Sequence, residues 1–458
     1  MKRLAIVLVL ACAGCSGTVA SGDAGSNDAH VGASDAGRTD AAATADTGAH
    51  DGGSANDAGA GSDAAATDTG TANDAYAVND AGTGHDAGSA HDAGSSDAGT
   101  SGRTVPVGHC GTRAGLYFPE QSWIYTDIHN APMRSNSGAT TAWLASHGGW
   151  GTGATAFQID TSFYIMDVDA STPTYTNTTT DPIAYSSPDC DDNVQFPIPS
   201  GGHIEGYGNY ICPGRTSGNP SDDCHLISVD WSAHTLFEAY QATLSGSTFY
   251  SSCNVAWNMT HDSWGANPLV GGLPPPPPSA LNWGIGQGCT GPDAAGFPIA
   301  PLLVTVGDIV SGRVEHVIRF ALPNPRIQLA ATAGDPQPTW VWPATHAGGP
   351  TATDPNAPIY GGHWRLHDPF DIAAHGLDPT NPVVQAVVYG LQHYGMVLAD
   401  GGTVPIMFED GSDCGTTLDS LLGGNGSHVL FGIGPSDFDV LDTGLSGAGY
   451  DCVRNANR

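Results

Sequence analysis

The sequence predicts a mainly β domain, a β-sandwich or jelly-roll-like fold with a few short helices, preceded by a disordered tether. Three observations predict it. Composition changes abruptly near residue 104. Beyond that point apolar residues recur with the two-residue period of strands, and Gly- and Pro-rich turns, including the run Pro274 to Pro278, separate them. Helical periodicity appears in only two places, which favours stacked sheets over alternating βαβ units.

In chain order, the first element is an export signal, residues 1–14. Lys2 and Arg3 form its positive end, Leu4 to Leu10 its apolar stretch, and small residues with Cys follow. Seven apolar residues are too few to span a bilayer, which takes roughly 20. The run Val9 to Cys15 has the pattern of a lipobox, with cleavage at Gly14 and lipidation of Cys15; cleavage before Cys12 is the alternative register. The expected location is therefore outside the cytoplasm, lipid-anchored to the bacterial membrane or cell surface.

Residues 15–104 are built from Ala, Gly, Asp, Ser and Thr, with an aspartate every five to seven positions from Asp23 to Asp97. No repeat has an apolar face to stack, so the stretch cannot offset the entropy of ordering its backbone. A flexible acidic spacer between anchor and domain is the expectation. No DxDxDG calcium loop is present.

The domain, residues 105–458, carries 32 acids against nine arginines, or −23 of the −33 formal charge of the 458-residue chain. Lys2 is the only lysine. Schiff-base and pyridoxal chemistry therefore have no lysine to use, and no Walker spacing occurs. An acidic surface repels phosphates, so nucleic acid is excluded as a partner. No cofactor or metal is expected. Eight cysteines lie in the domain and none forms a CxxC pair, so disulfides are expected rather than zinc. Proximity along the chain suggests Cys212–Cys224, Cys253–Cys289 and Cys414–Cys452.

Ser137 to Ser146 reads as a helix closing at Gly148. Strands are expected at His225 to Asp230, Thr235 to Tyr240 and Arg313 to Ala321. Pro382 to Tyr394 reads as a second helix, with Asn381 as N-cap, proline in the first turn and Gly395 at its end; Met396 to Ala399 follows as a strand.

The candidate site comes from ionisable residues that interrupt apolar strand faces. His225 shares a face with Ile227 and Val229, Glu238 lies between Leu236 and Tyr240, and His316 falls between Val314 and Ile318. A buried carboxyl must be paired, hydrogen-bonded or protonated, which makes Glu238 the leading candidate. Asp293, in the turn Gly291 to Gly296, and Asp400, beside Gly401 and Gly402, are candidate second carboxylates. Expected substrate contacts are Trp283, Trp340, Trp342 and Trp364 as aromatic platforms, with Arg319 and Arg365 as cations. Each also has a structural reading: core packing for the tryptophans, turn chemistry for the aspartates, and a buried Glu238–arginine pair.

The segments NAPMRSNSGATTAWLASHGGWG, DAAGFPIAPLLVTVGDIVSGRVEHVIRFALPNPR, WPATH, LQHYGMVLADGG and SDFDVLDT resemble a widespread family of secreted proteins from actinobacteria and related bacteria. The resemblance covers most of residues 125 to 443. It implies one domain to which the tether is an addition, and it supplies no established activity and no catalytic residues. The functional expectation is a carbohydrate-active domain, a glycan hydrolase using a carboxylate pair; the alternative is a non-catalytic surface module that binds glycan or protein.

Overall fold

The computed structural model describes residues 105–443, except 152, 154, 179–189, 192, 214–222, 263, 265–266, 272–290, 330–339 and 346. The expected export signal at residues 1–14, the expected lipidation site Cys15, the expected tether at residues 15–104, the run Pro274 to Pro278, Trp283, Cys289 and Cys452 lie outside these residues.

The described chain is mainly β, with several sheets and few short helices. It opens with the two-residue strands β1 (Pro106–Val107) and β2 (Arg113–Ala114), followed by helix α1 (Ser137–Ser146), which has the bounds its sequence predicts. Next come β3 (Ile159–Phe163) and β4 (Ile165–Val168), then the paired β5 (Thr174–Thr176) and β6 (Gln195–Pro197). β7 (His225–Asp230) and β8 (Thr235–Tyr240) form a hairpin. β9 (Thr243–Ser245) and β10 (Thr248–Tyr250) form another, and β11 (Cys253–Asn258) follows. Helix α2 (Val306–Ser311), β12 (Ile318–Leu322), β13 (His363–Leu366), α3 (Pro382–His393), β14 (Met396–Gly401), β15 (Ile406–Glu409), α4 (Leu418–Leu422) and β16 (Phe438–Val440) complete the order.

Two sheets carry the architecture. The larger has the order β16-β13-β14-β12-β15-β3, the smaller β11-β8-β7-β4. They are mixed: β12 with β14, β15 with β3 and β4 with β7 run parallel. The parallel β12–β14 pair uses α3 in its crossover, so the chain contains local helical connections that a purely antiparallel jelly roll lacks. β3 lies at the edge of one sheet and β4 at the edge of the other, so the chain changes sheet at Tyr164.

The local chemistry explains the elements. Asn381 caps α3, its side-chain oxygen accepting from Val383 N and Val384 N, and Pro382 occupies the first turn. Gly395 then takes φ +70° and turns the chain straight into β14. The expected strand from Arg313 is corrected: only Ile318–Leu322 is strand. Val306–Ser311 just before it is helical, because Thr305 and Asp308 form a reciprocal capping box and Gly312 ends the helix at φ +85°.

β7 is buried along nearly its whole length, on both faces. One face, with Ile227 and Val229, joins the main core; the other, with Leu226, packs on a smaller cluster including Met166, Phe196, Ala239 and Phe249. Among the described residues three disulfides are present: Cys110–Cys414, Cys190–Cys253 and Cys212–Cys224. Only the last was expected. The other two expected pairs are corrected, because proximity in sequence says nothing about chain ends joined by a fold: Cys110 and Cys414 are 304 residues apart. Three disulfides fit an oxidising compartment. No helix among the described residues is long and apolar enough to cross a membrane.

The Cys110–Cys414 junction carries a pH-sensitive contact. His109 Nε2 lies 2.8 Å from Asp413 Oδ1, and His109 Nδ1 lies 3.4 Å from Glu409 Oε2. Burial pulls the imidazole pKa down, but Glu409 and Asp413 outweigh it and hold it at about 8. Burial raises Glu409 despite its histidine, so the pair only partly offsets the cost of burying that carboxylate. A histidine raised above its unfolded pKa contributes stability that is fully present below about 6.5 and fades as pH rises through about 8. With Asp413 half exposed and screened, the contribution is about 1 kcal/mol. Denaturant melts of His109→Gln should show a deficit near pH 6 that closes by pH 9; a deficit independent of pH refutes the ion pair.

Candidate functional site

The main concentration of charge lies where the two sheets meet. On β12 the apolar side chains of Ile318, Phe320 and Leu322 point one way and Arg319 the other. Arg319 is fully buried. Its NH2 donates to Asp293 Oδ2 at 2.7 Å and Asp400 Oδ2 at 3.1 Å, and its guanidinium lies 4.9 Å from the Phe163 ring centre.

Asp400 reaches Arg319 through an irregularity in β14. Phe320 pairs with Leu398, but the next residue, Ala321, pairs with Asp400, skipping Ala399. Strict alternation would put Asp400 on the face of Leu398, away from Arg319. The bulge moves it to Arg319's side, a common use of an extra residue in a strand. Asp293 is fixed differently. Its Oδ1 accepts from Ala295 N and Phe297 N, closing the turn that ends at Gly296, φ +79°, and this leaves Oδ2 for Arg319.

His225 stands at the start of β7, against the same junction. Its Nδ1 lies 2.6 Å from Glu205 Oε2 and 3.7 Å from Asp223 Oδ1; its Nε2 lies 3.2 Å from the Pro292 carbonyl oxygen. Pro292 adjoins Asp293, so one loop serves both halves of the cluster. Ser162 Oγ donates to the other Glu205 oxygen. Phe163 packs beside the histidine ring, with centroids 5.7 Å apart.

The electrostatics follow from too many carboxylates for the available cations. Burial, then repulsion from Asp223, raises Asp400 to about 6, against the pull of Arg319. Burial raises Asp293 to about 6 as well, with Arg319 opposing and Asp400 reinforcing. Burial disfavours the His225 cation, but Asp223 and Glu205 overcome it and lift the imidazole to about 10. Asp160, hydrogen-bonded to the backbone and hydroxyl of Ser162, adds a further raised carboxyl. Side-chain exposure increases outward, from nothing at Asp293 and Arg319 through 15% at Asp400 to 53% at Asp223. The cluster is thus anchored inside and opens to solvent at Asp223 and Asp400.

His225, Asp293, Asp400 and Arg319 therefore come together. Glu238 is a near neighbour with another task. It lies on His225's face of the sheet, paired with Ile227, but Oε1 accepts from Ile299 N and Ala300 N and Oε2 from Trp257 Nε1. Fully buried, with both oxygens engaged, it pins the short 3-10 turn Ala300–Leu302 to the sheet and is corrected from catalyst to scaffold. His316 is also corrected. Its ring lies 3.3 Å from Asp308 Oδ2 at the start of α2, in a small cavity lined by Val105, Tyr117 and Tyr125.

Of the four tryptophans expected as platforms, the three among the described residues, Trp340, Trp342 and Trp364, are core. Trp364 packs among Trp150, Phe320 and Phe438, and Trp342 against Trp123, its indole N–H donating to the Trp264 carbonyl. Trp340 is 8% exposed. Such rings offer no face to a sugar. Arg365 is a tie rather than a substrate cation: it donates to the carbonyls of Ile128, His129 and Ala131 and pairs with Asp439. Glu205 and Asp223 carry no signal in the apolar periodicity. Extending the β7 alternation back by one step would have found Asp223, two residues before His225 and on its side.

Comparison with family models, with curated proteins and with solved structures finds no match to this chain.

Proposed function

We propose that the domain is a hydrolase acting on a neutral glycan, displayed outside the cytoplasm on a lipid anchor at Cys15 and the acidic tether of residues 15–104. The observation that carries the reading is the Asp400–Arg319–Asp293 group beside His225, Glu205 and Asp223, anchored inside and open at Asp400 and Asp223. Asp400 has a carboxyl raised towards neutrality, the property a general acid needs. It protonates the leaving glycosidic oxygen. Asp223 takes the proton of the water that adds to the anomeric carbon, so the bond to the leaving oxygen breaks as the new carbon–oxygen bond forms. Arg319, held by buried Asp293, positions Asp400. The excess of carboxylates disfavours phosphorylated or carboxylated substrates and suits a neutral, hydroxyl-rich one. The buried tryptophans argue against the non-catalytic reading that relied on an aromatic platform.

Reducing-end release from a panel of neutral polysaccharides tests the proposal. Asp400→Asn should lose turnover on the order of 10²-fold or more while keeping its thermal midpoint within a few degrees. No release by the native chain across the panel, or full activity in Asp400→Asn, overturns the reading.

A further inference from the structure

We propose that His225, Glu205 and Asp223 form a binding site for a single divalent transition-metal ion, with Zn²⁺ the best match to the donor set. The site goes beyond the hydrolase reading; it shares Asp223 with that reading but does not rest on it.

One ligand atom from each of the three side chains falls within 4.8 Å of the others. The separations from His225 Nδ1 are 2.6 Å to Glu205 and 3.7 Å to Asp223. Zn²⁺ bound tetrahedrally at about 2.0–2.1 Å keeps its ligand atoms roughly 3.3 Å apart, between those two values. An imidazole with two carboxylates favours Zn²⁺ over Ca²⁺ or Mg²⁺, which take all-oxygen shells.

The surroundings have the features of a metal ligand's support. His225 Nε2 faces the Pro292 carbonyl, which accepts its N–H, so that Nδ1, once it gives up its own proton, presents its lone pair to a metal between the two carboxylates. Ser162 holds the Glu205 oxygen that does not face the histidine. Ligand orientation is thus fixed by groups outside the trio.

A second observation points to a missing ligand. Arg319 is fully buried and turns its NH2 into the same cluster, yet its Nε and NH1 have no acceptor among the described residues. Buried guanidinium donors are normally met by an oxygen acceptor, and water on a metal held by the neighbouring trio would supply one. The carboxylates of Glu205, Asp223, Asp293 and Asp400 also outnumber the two cationic groups, Arg319 and His225, so a dication offsets charge the protein leaves unbalanced. Three protein ligands with Asp223 on the solvent side leave a fourth position for water, the arrangement of catalytic rather than structural zinc. The group formed by His109, Asp413, Cys110 and Cys414 is not equivalent, because its two sulfurs are joined in a disulfide.

The test uses the full chain, purified in detergent, stripped with chelator and titrated with ZnCl₂ by calorimetry, with bound zinc counted by elemental analysis. One tight zinc per chain is expected. Binding should release about one proton, seen as a dependence on buffer ionisation heat, because the imidazolium must give up its Nδ1 proton to ligate. Asp223→Asn, at an exposed position that leaves the fold intact, and Glu205→Gln should each weaken this site at least tenfold. His225→Gln should abolish it. Histidines elsewhere in the chain can bind zinc loosely, so the variants decide. No tight zinc on the native chain, or the same tight zinc on Asp223→Asn and Glu205→Gln, overturns the site. Loss of zinc binding in Glu205→Gln with glycan turnover intact keeps the metal site and removes the metal from catalysis; Asp223→Asn also lacks the proposed general base, so it is read by zinc binding alone.

Discussion

Arg319→Met should destabilise the domain by about 3–5 kcal/mol, the usual cost of removing one partner from a buried ion pair. Arg319 and Asp293 are both fully buried, so the substitution strands a carboxylate in the core with no cation beside it. Two consequences distinguish this from simple loss of packing. The first is pH dependence. Asp293 and Asp400 already have folded-state pKa values raised above those of the unfolded chain, to about 6. A raised carboxyl binds protons more tightly in the folded state, so stability falls as pH rises from the unfolded pKa through the folded one. Removing Arg319 raises the carboxyls further and extends the fall to higher pH, so the variant's deficit should widen between pH 6 and 8. The second is rescue. Arg319→Met with Asp293→Asn keeps the turn-closing acceptor Oδ1 and removes the stranded charge, so it should recover most of the loss. Urea melts of the two variants across pH measure both effects. A deficit under 1 kcal/mol, or no rescue, refutes the assignment of Arg319 and Asp293 as a buried pair.

Glu238→Gln should cost about 2–6 kcal/mol and leave the turnover of the folded fraction unchanged. The carboxylate meets three donors: the backbone N–H groups of Ile299 and Ala300 on one oxygen and the Trp257 indole on the other. A glutamine offers one acceptor oxygen and, in place of the second, an NH₂ with two donors. With its oxygen on the two backbone groups, its amide N–H₂ faces the indole N–H, and two buried donors go unmet at about 1–3 kcal/mol each. Burial raises the native carboxyl to about 7 against the pull of Ala300, Trp257 and Ile299. Thermal and urea melts, with turnover corrected for the folded fraction, separate the roles. A stable Glu238→Gln protein with lost turnover would restore Glu238 as a catalyst and displace Asp400.

Much of this was legible in the residues. Asn381, Pro382 and Gly395 bound one helix by capping and turn chemistry, which acts within a few residues. The alternation in His225–Asp230 and Thr235–Tyr240 identified two strands and the side on which His225 and Glu238 lie. The same alternation could not distinguish a carboxylate that touches solvent from one consumed by three N–H groups, because those donors come from residues 19, 61 and 62 positions away. Tryptophan spacing gave no hint of burial, since a ring's exposure depends on what the opposite sheet places over it.

By itself the sequence determined the acidic, lysine-poor character of the domain, its strand-rich class and the local ends of its main helices, because these follow from composition and from contacts within a turn or two. Only the tertiary structure decided which charges meet. A single extra residue in β14 turns Asp400 to Arg319's side, the loop at Pro292 and Asp293 reaches both His225 and Arg319, and the crossing at Tyr164, just after Phe163, carries the chain from one sheet to the other. Register and crossover are set by long-range packing, and a one-residue change in register reverses the face a side chain occupies.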